Sequence, residues 1–228
     1  MKRLFIAFAA ISCIAASAHA GTEVFLNISK KFGQKIRVAV PSFAVSAGAK
    51  TEALKSSDQL QNDLLLSGYF TPVKERQFVE ETQRDDQKTG RINLGEWKRI
   101  GADMVIKGAY SERGGRIEIR CEIYATIDGK KVFDRTYDDA AAKRRALIHR
   151  ITDDIVKALT GERGIAQTKI AFVMGSGKSR EICIADYDGF NAKKLTHDGA
   201  LALYPKWSPD NRKIVYTGYI NGRPEVFL

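Results

Sequence analysis

The last quarter of the chain contains two copies of one short pattern, 44 residues apart. Residues 169–172 and 180–184 align without gaps on residues 213–216 and 224–228. A period of roughly 40 to 45 residues, built from short strands and tight turns, is the spacing of one blade of a β-propeller. From position 169 onwards the chain has 60 residues, which predicts about one and a half blades. Since a closed propeller needs at least about four blades, we expect a fragment of a longer protein with a protease-sensitive tail beyond Thr168.

Each copy consists of two predicted strands joined by a glycine-containing turn, over 170–173 and 181–185 in the first copy and over 214–217 and 225–228 in the second. Asp188-Gly189 predicts a chain reversal after the second strand. Residues 208–211 predict a tight turn, because proline fixes φ while Asp and Asn side chains bond their own backbone. Trp207 offers a large apolar face that neighbouring blades can bury.

Strand and helix patterns alternate before the repeats. Predicted strands cover 23–28, 36–43, 70–73, 104–110, 116–126 and 131–137, and predicted helices cover 51–67, 75–83, 94–100 and 141–159. The polar residues 84–90 predict a loop. Gly-Gly and Asp-Gly pairs between the last three strands predict an antiparallel meander. The predicted fold class is an α/β N-terminal domain with a mixed sheet over 21–160, a linker over 161–168, and all-β propeller blades over 169–228.

The N-terminus has the pattern of a secretory signal peptide over residues 1–20. Lys2 and Arg3 precede an apolar run over residues 4–18, and Ala18-His19-Ala20 supplies small residues at the cleavage site. The apolar run is shorter than the roughly 20 residues that a spanning helix needs. We therefore expect an exported protein that is not membrane-inserted after signal removal. Cys13 within the run leaves a lipoprotein signal as the alternative.

Cysteine usage and charge exclude few functions. Beyond the signal peptide only Cys121 and Cys183 remain, which is no disulfide scaffold, and we expect two free thiols on buried strand faces. The net charge of +10 is spread along the chain. Its densest basic run, residues 143–145, predicts a solvated helix end, and no nucleic-acid partner is expected. For an exported protein, a basic surface facing anionic lipid, peptidoglycan or an acidic partner is more plausible than DNA.

No catalytic, cofactor or metal site is predicted. Residues 175–179 resemble the end of a phosphate-binding loop. However, Phe172 occupies the position where that motif has its first glycine, and no helix follows. A surface hairpin is therefore expected. His149, assigned to the polar side of the last helix, and His197, in a polar loop, lack a metal ligand at the usual spacing. The acidic pairs at 85–86, 138–139 and 153–154 predict solvated charge.

The repeat motif carries a resemblance to a known family. Pro205-Lys206-Trp207-Ser208-Pro209-Asp210, followed by residues 213–216, resembles the propeller repeat of the TolB family of the Tol-Pal system, with Asn211 where that family usually has glycine. Residues 38–43, Val-Ala-Val-Pro-Ser-Phe, and the order of signal peptide, α/β domain and repeats resemble the same family. The resemblance implies a six-bladed propeller and a monomeric, non-catalytic periplasmic adaptor without a cofactor.

The resemblance also implies two partners: the lipoprotein Pal on the propeller and TolA on the N-terminal region, linking the envelope layers during cell division. A terminal strand can add its backbone edge to another chain, and its position at a free end makes release easy. The candidate TolA-binding residues are therefore Glu23, Val24, Phe25, Leu26, Asn27 and Ile28. The alternatives are an exported peptidase or hydrolase with its catalytic domain elsewhere, and a carbohydrate- or metal-binding propeller.

Overall fold

The computed structural model describes residues 35–45, 49–73, 76–89 and 91–228. The predicted signal peptide and the predicted strand at 23–28 lie outside these residues. The first part of the described chain contains β1 (Ile36–Ala39), β2 (Ala44–Val45), α1 (Lys50–Leu66), β3 (Phe70–Pro72), α2 (Arg76–Thr89), α3 (Leu94–Arg99), β4 (Met104–Arg113), β5 (Arg116–Ala125), β6 (Lys131–Ala140) and α4 (Arg144–Thr160).

The strands of the first part form one mixed sheet in the order β3-β1-β4-β5-β6, with β2 beside the end of β4. β1 pairs in parallel with β3 on one side and with β4 on the other, so it is an inner strand. β4, β5 and β6 form the predicted antiparallel meander. The turn between β4 and β5 requires glycine, because Gly114 and Gly115 have φ of +56° and +75°, which side chains disfavour.

Helices cover the sheet on both faces. Because successive side chains of a strand point to opposite faces, Met104 and Ile106 of β4 lie in one core and Val105 lies in another. α1 and α4 cover the larger core, in which Ala53, Leu60 and Leu64 form an apolar stripe along α1. α2 and α3 cover the smaller core around Trp97, which is completely buried.

The predicted loop over 84–90 is wrong for residues 84–89, because α2 continues to Thr89. Charged and amide side chains are good helix formers, and α2 buries one narrow side through Val79, Thr82 and Asp86. These three residues are spaced as neighbouring turns of a helix are. Because two of the three residues are polar, apolar periodicity does not predict this stripe.

The second part consists of two three-stranded antiparallel sheets. The first contains β7 (Lys169–Ser176), β8 (Ser179–Asp186) and β9 (Lys193–Lys194), and the second contains β10 (Ala202–Trp207), β11 (Ile214–Gly218) and β12 (Glu225–Phe227). β7 and β8 are thus the predicted strands of the first copy, and β11 and β12 those of the second. Asn211 has a φ of +56°, so it adopts the conformation that glycine would supply.

The 44-residue sequence repeat and the propeller sheets begin at different points of the chain. β10 pairs with β11 and therefore precedes the second copy in its sheet. The corresponding positions before the first copy, residues 158–163, are the end of α4 and the turn after it. Consequently β7 has no strand on its second edge within the described part of the chain.

Both predicted free thiols are confirmed. Cys121 on β5 and Cys183 on β8 are unpaired and completely buried. Burial raises the pKa of the Cys121 thiol to about 12, so the reactive thiolate is disfavoured. Among the described residues, none of the helices combines the length and the apolar character that crossing a bilayer requires.

Candidate functional site

The predicted partner-binding residues, Glu23 to Ile28, lie outside the described chain, so that assignment stays a prediction. Within the described residues, buried and half-buried charged side chains meet where α4 contacts the loop after β8. Asp63, Arg145 and His149 come from the first part, and Asp188 comes from the loop after β8. We call Asp63, Arg145, His149 and Asp188 the junction cluster.

α1 and α4 build the first half of the junction cluster. Asp63 is completely buried near the end of α1, and its Oδ2 lies 2.8 Å from Nδ1 of His149 in the middle of α4. Gln59, one turn earlier on α1, donates from Nε2 to the carbonyl oxygen of Arg145 at 3.0 Å. The two helices are therefore joined by directional hydrogen bonds as well as by apolar packing.

The prediction that His149 faces solvent is wrong, because only 5% of the residue is exposed. α4 packs against both α1 and β6, so it has two buried sides instead of one. Leu147 and Ile151 belong to the apolar stripe of α4, whereas His149 lies on the side of α4 that faces α1. Its partner is 86 residues away in sequence, and no local pattern reports such a contact.

The loop after β8 supplies the second half of the junction cluster. The Asp188 carboxylate, 3% exposed, forms an ion pair with Arg145 through Oδ2, and its Oδ1 accepts a hydrogen bond from the Phe190 N–H at 3.1 Å. The Arg145 guanidinium lies 3.8 Å from the centre of the Phe190 ring, within cation–π range. One arginine thus binds both a carboxylate and an aromatic ring of the propeller sheet.

The predicted solvated basic run at 143–145 is correct for Lys143 and wrong for the other two residues. Arg144 Nε lies 3.1 Å from Glu52 Oε2 on α1, and Arg145 binds Asp188. Two of the three positive charges are therefore neutralised within the protein and are poorly available to an external polyanion.

Further charges surround the junction cluster. Burial raises the pKa of the Asp186 carboxyl, but hydrogen bonds from Lys169 and Asn191 and the proximity of His149 outweigh it, so the net shift is downward. Burial, with the nearby Asp63 and Asp153 carboxylates, raises the pKa of Tyr187. Carboxylates from both parts of the molecule therefore face this point of α4.

Three buried polar atoms at the junction lack a hydrogen-bond partner in the described protein: Asp63 Oδ1, Arg145 Nε and the Tyr187 hydroxyl. One is an acceptor, one is a donor and one can be either. Buried polar groups left unpaired each cost about 1 to 3 kcal/mol. Protein groups alone therefore do not satisfy all of the hydrogen-bonding capacity at the junction.

Asp63, His149 and Asp188 each place a possible metal-ligand atom within 4.8 Å of the others, a proximity that sequence spacing did not predict. Two features disfavour a cation here. Asp188 already accepts from Arg145 and from the Phe190 N–H, and the guanidinium adds a positive charge beside it. A metal ion would have to compete with Arg145 for its carboxylate ligand.

Asp153 on α4 holds the connection between the two parts. Its carboxylate accepts hydrogen bonds from the Ala166 N–H at 2.7 Å, the Gln167 N–H at 3.2 Å and the Gln167 side chain at 2.9 Å. Gly164 runs so close to Asp153 that a Cβ there would lie 2.2 Å from Oδ1. The prediction that the 153–154 pair is solvated is therefore wrong for Asp153.

An open groove of about 750 Å³ lies beside this connection. Its lining includes Asp153, Lys157 and Arg163 from the first part and Trp207 from the second propeller sheet. Trp207 Nε1 is buried and has no hydrogen-bond partner among the residues that the structure describes. The groove carries both signs of charge, so its walls do not favour one class of charged ligand.

A second buried carboxylate organises the other face of the mixed sheet. Asp86 on α2 accepts hydrogen bonds from Trp97 Nε1 at 2.9 Å and from the Asn93 N–H at 2.7 Å, and Lys107 Nζ lies 3.4 Å away. The predicted solvated pair at 85–86 is therefore half wrong, since Asp85 is exposed and Asp86 is buried. This site joins α2 and α3 to β4.

Residues 175–179 resemble the end of a phosphate-binding loop in sequence, but they do not form such a loop in the structure. The segment forms the hairpin between β7 and β8, with Ser176 opposite Ser179. Gly177 at the tip has a φ of +57°. No helix begins there, so the backbone offers no cradle of N–H groups at a helix terminus.

Two family models match the chain. The model described as the TolB amino-terminal domain matches residues 24–132, and the model described as the TolB beta propeller domain matches residues 156–228. The two matches follow one another without overlap, in the order in which the mixed sheet and the propeller sheets occur.

Curated relatives and a solved structure agree with these models. Tol-Pal system protein TolB of Desulfosudis oleivorans is 28% identical over 231 residues, covering 100% of this chain and 52% of the relative. The protein of the same name from Syntrophus aciditrophicus is 29% identical, covering 90% of this chain and 47% of the relative. The crystal structure of TolB from Acinetobacter baumannii matches the fold with a TM-score of 0.66 and 23% identity, covering 85% of this chain and 46% of that one. The chain spans about half the length of the relatives it matches.

Proposed function

The chain belongs to the TolB family, and on this premise we propose that it acts in the Tol-Pal system as a non-catalytic periplasmic adaptor between TolA and the lipoprotein Pal. In this role it maintains the outer membrane and supports envelope constriction during cell division. The observation that carries the proposal is the succession of a TolB amino-terminal domain and a TolB propeller domain in one chain, matched along its whole length by a Tol-Pal protein.

The surroundings of the charged side chains support a binding role without catalysis. His149 and Asp63 would be the obvious acid–base pair, but they are 5% and 0% exposed. A substrate cannot reach the pair without separation of α1, α4 and the propeller loop. General acid–base catalysis needs a catalytic group within hydrogen-bond reach of the substrate, so we propose a protein-binding module that uses no cofactor.

We propose further that the protein is an exported monomer that binds no nucleic acid. We also propose that residues 161–168 form the linker between its two domains. Arg144 and Arg145 pair with Glu52 and Asp188, which supports the proposal that the protein binds no nucleic acid. The Tol-Pal names of the matched relatives favour the adaptor over the exported-peptidase alternative. We assign TolA binding to residues Glu23 to Ile28, through addition of a strand to TolA.

The test is a binding titration of the mature protein with TolA and with Pal from the same organism. We expect deletion of residues 22–28 to abolish TolA binding and to leave Pal binding unchanged, because the two partners are assigned to different parts of the chain. Isothermal titration calorimetry measures both affinities, and circular dichroism checks that the variant is folded.

The control is a variant that keeps residues 23–28 but reorders them so that apolar and polar side chains no longer alternate. It preserves length and composition and should lose TolA binding. Unchanged TolA affinity in both variants would refute the assignment to this strand. Absence of binding to either partner by the unaltered mature protein would refute the adaptor function.

A further inference from the structure

We propose that the junction cluster sets the orientation of the propeller on the N-terminal domain and contributes little to the stability of either. The inference goes beyond the adaptor function and does not depend on the identity of any partner. It rests on how Asp63, Arg145, His149 and Asp188 are buried and paired.

Burial of these charges is costly. The side chains of Asp63 and Asp188 are 0% and 3% exposed, and removal of a carboxylate from water costs several kcal/mol before any pairing. The ion pair with Arg145 and the contact with His149 return much of this energy. Replacement of a buried ion pair by apolar residues of similar volume is often neutral or stabilising.

Two atoms of the junction cluster, Asp63 Oδ1 and Arg145 Nε, also have no hydrogen-bond partner among the described protein groups. An interface arranged for strength would pair these atoms or replace them with apolar groups. A role in orientation explains the buried charges of the cluster better than a role in stability does. Charged hydrogen bonds depend on direction, whereas the hydrophobic effect does not.

The positions of the four residues suit an alignment role. Arg145 and His149 lie one turn apart on α4, and Asp63 anchors His149 to α1. Asp188 and Phe190 approach Arg145 from the propeller loop on two sides. A rotation of the propeller sheet about α4 would separate Asp188 from Arg145 and leave a charge buried without its partner, so one orientation is favoured over its neighbours.

The test compares Arg145→Met, Asp188→Leu and the double variant in the full chain. Each single variant should lower Tm, because Arg145→Met leaves the buried Asp188 carboxylate unpaired and Asp188→Leu leaves the half-buried Arg145 guanidinium without its partner. The double variant should recover a Tm near the wild-type value, because both charges are gone. Double electron–electron resonance between spin labels at Lys130→Cys and Lys178→Cys reports the relative orientation of the two parts. Both label sites are exposed, and the buried Cys121 and Cys183 should not take up label.

We expect the double variant to combine a recovered Tm with a label-distance distribution at least twice as wide as that of the wild type. The control is the exposed ion pair Arg116–Asp138, for which Arg116→Met with Asp138→Leu should change neither measurement. A narrow distribution in the double variant would overturn the inference. So would a saturable rise in the wild-type Tm with Zn²⁺ that disappears in His149→Gln, because the cluster would then be a metal site.

Discussion

Individual carboxylates show where sequence reasoning reaches its limit. Asp85 and Asp86 are chemically identical neighbours, yet one is exposed and the other is buried against Trp97. Adjacent helix positions point in different directions, so one carboxylate of such a pair can be buried while the other is solvated. Which of them is buried depends on Trp97 and Lys107, which lie 11 and 21 residues further along the chain.

Asp86→Asn should lower the free energy of unfolding by about 1 to 3 kcal/mol, since it removes a buried charge that accepts hydrogen bonds and faces Lys107. Urea denaturation followed by the fluorescence of Trp97 measures the change. Asp85→Asn is the matched control, and as an exposed substitution it should stay within about 0.5 kcal/mol of wild type. Equal effects of the two substitutions would show that the Asp86 contacts contribute no stability.

Elements with strong local signals were predicted well, and elements without them were not. Glycine pairs fixed the meander turns, and a stripe of apolar residues predicted α1. The full length of α2 was missed because its buried side is mostly polar, and β2 was missed because two residues carry no periodicity. Local sequence therefore determines most element boundaries, while tertiary contacts determine these exceptions.

Glu181 on β8 gives one element a testable pH dependence. A hydrogen bond from Thr196, with N–H groups of Gly199 and Asp198, lowers the pKa of Glu181 despite its burial. A pKa lowered in the folded state adds stability above the ordinary value of 4.5 and loses it as the pH falls through the folded value. The hydrogen-exchange protection factors of residues 196–199, which correct for the intrinsic slowing of exchange in acid, should therefore fall below about pH 4.5.

Glu181→Gln should remove this pH dependence, because the amide does not titrate in that range. Glu225→Gln at the corresponding position of the second copy is the control and should leave exchange at 196–199 unaltered. If the Glu181→Gln protein still lost protection below about pH 4.5, another acid would have to be its source.

On the scale of the whole molecule, the two-part architecture was predictable, and the contacts between the parts were not. The 44-residue repeat predicted the two propeller sheets, and the alternating patterns before it predicted the mixed sheet. The junction cluster joins α1, α4 and the loop after β8, whose residues are separated by 43 positions or more. Acidic and basic residues at such distances carry no spacing signal, so only the folded structure brings them together.

Asp153 makes a prediction on the same scale. Asp153→Ala removes the hydrogen bonds to residues 166 and 167, and bonds to a charged group are worth about 1.5 to 3 kcal/mol each. Proteolytic cleavage within 161–168 should therefore become at least about tenfold faster when local opening controls it. Timed digestion with mass spectrometry of the fragments measures the rate.

The control for this experiment is Asp154→Ala, whose carboxylate bonds Arg135 and the Tyr137 hydroxyl instead of the connecting segment. Cleavage of this variant within 161–168 should match wild type. Equal acceleration in both variants would mean that general loosening of α4, and not loss of the Asp153 contacts, exposes the segment.

The placement of α4 has a consequence for the order in which the chain can fold from its N-terminal end. Asp63 gains its partner only when His149 is available, so α1 and the mixed sheet complete their packing only once the chain up to residue 160 can fold. Asp188 lies further along the chain. The first propeller sheet therefore docks on a surface that α1 and α4 have already built.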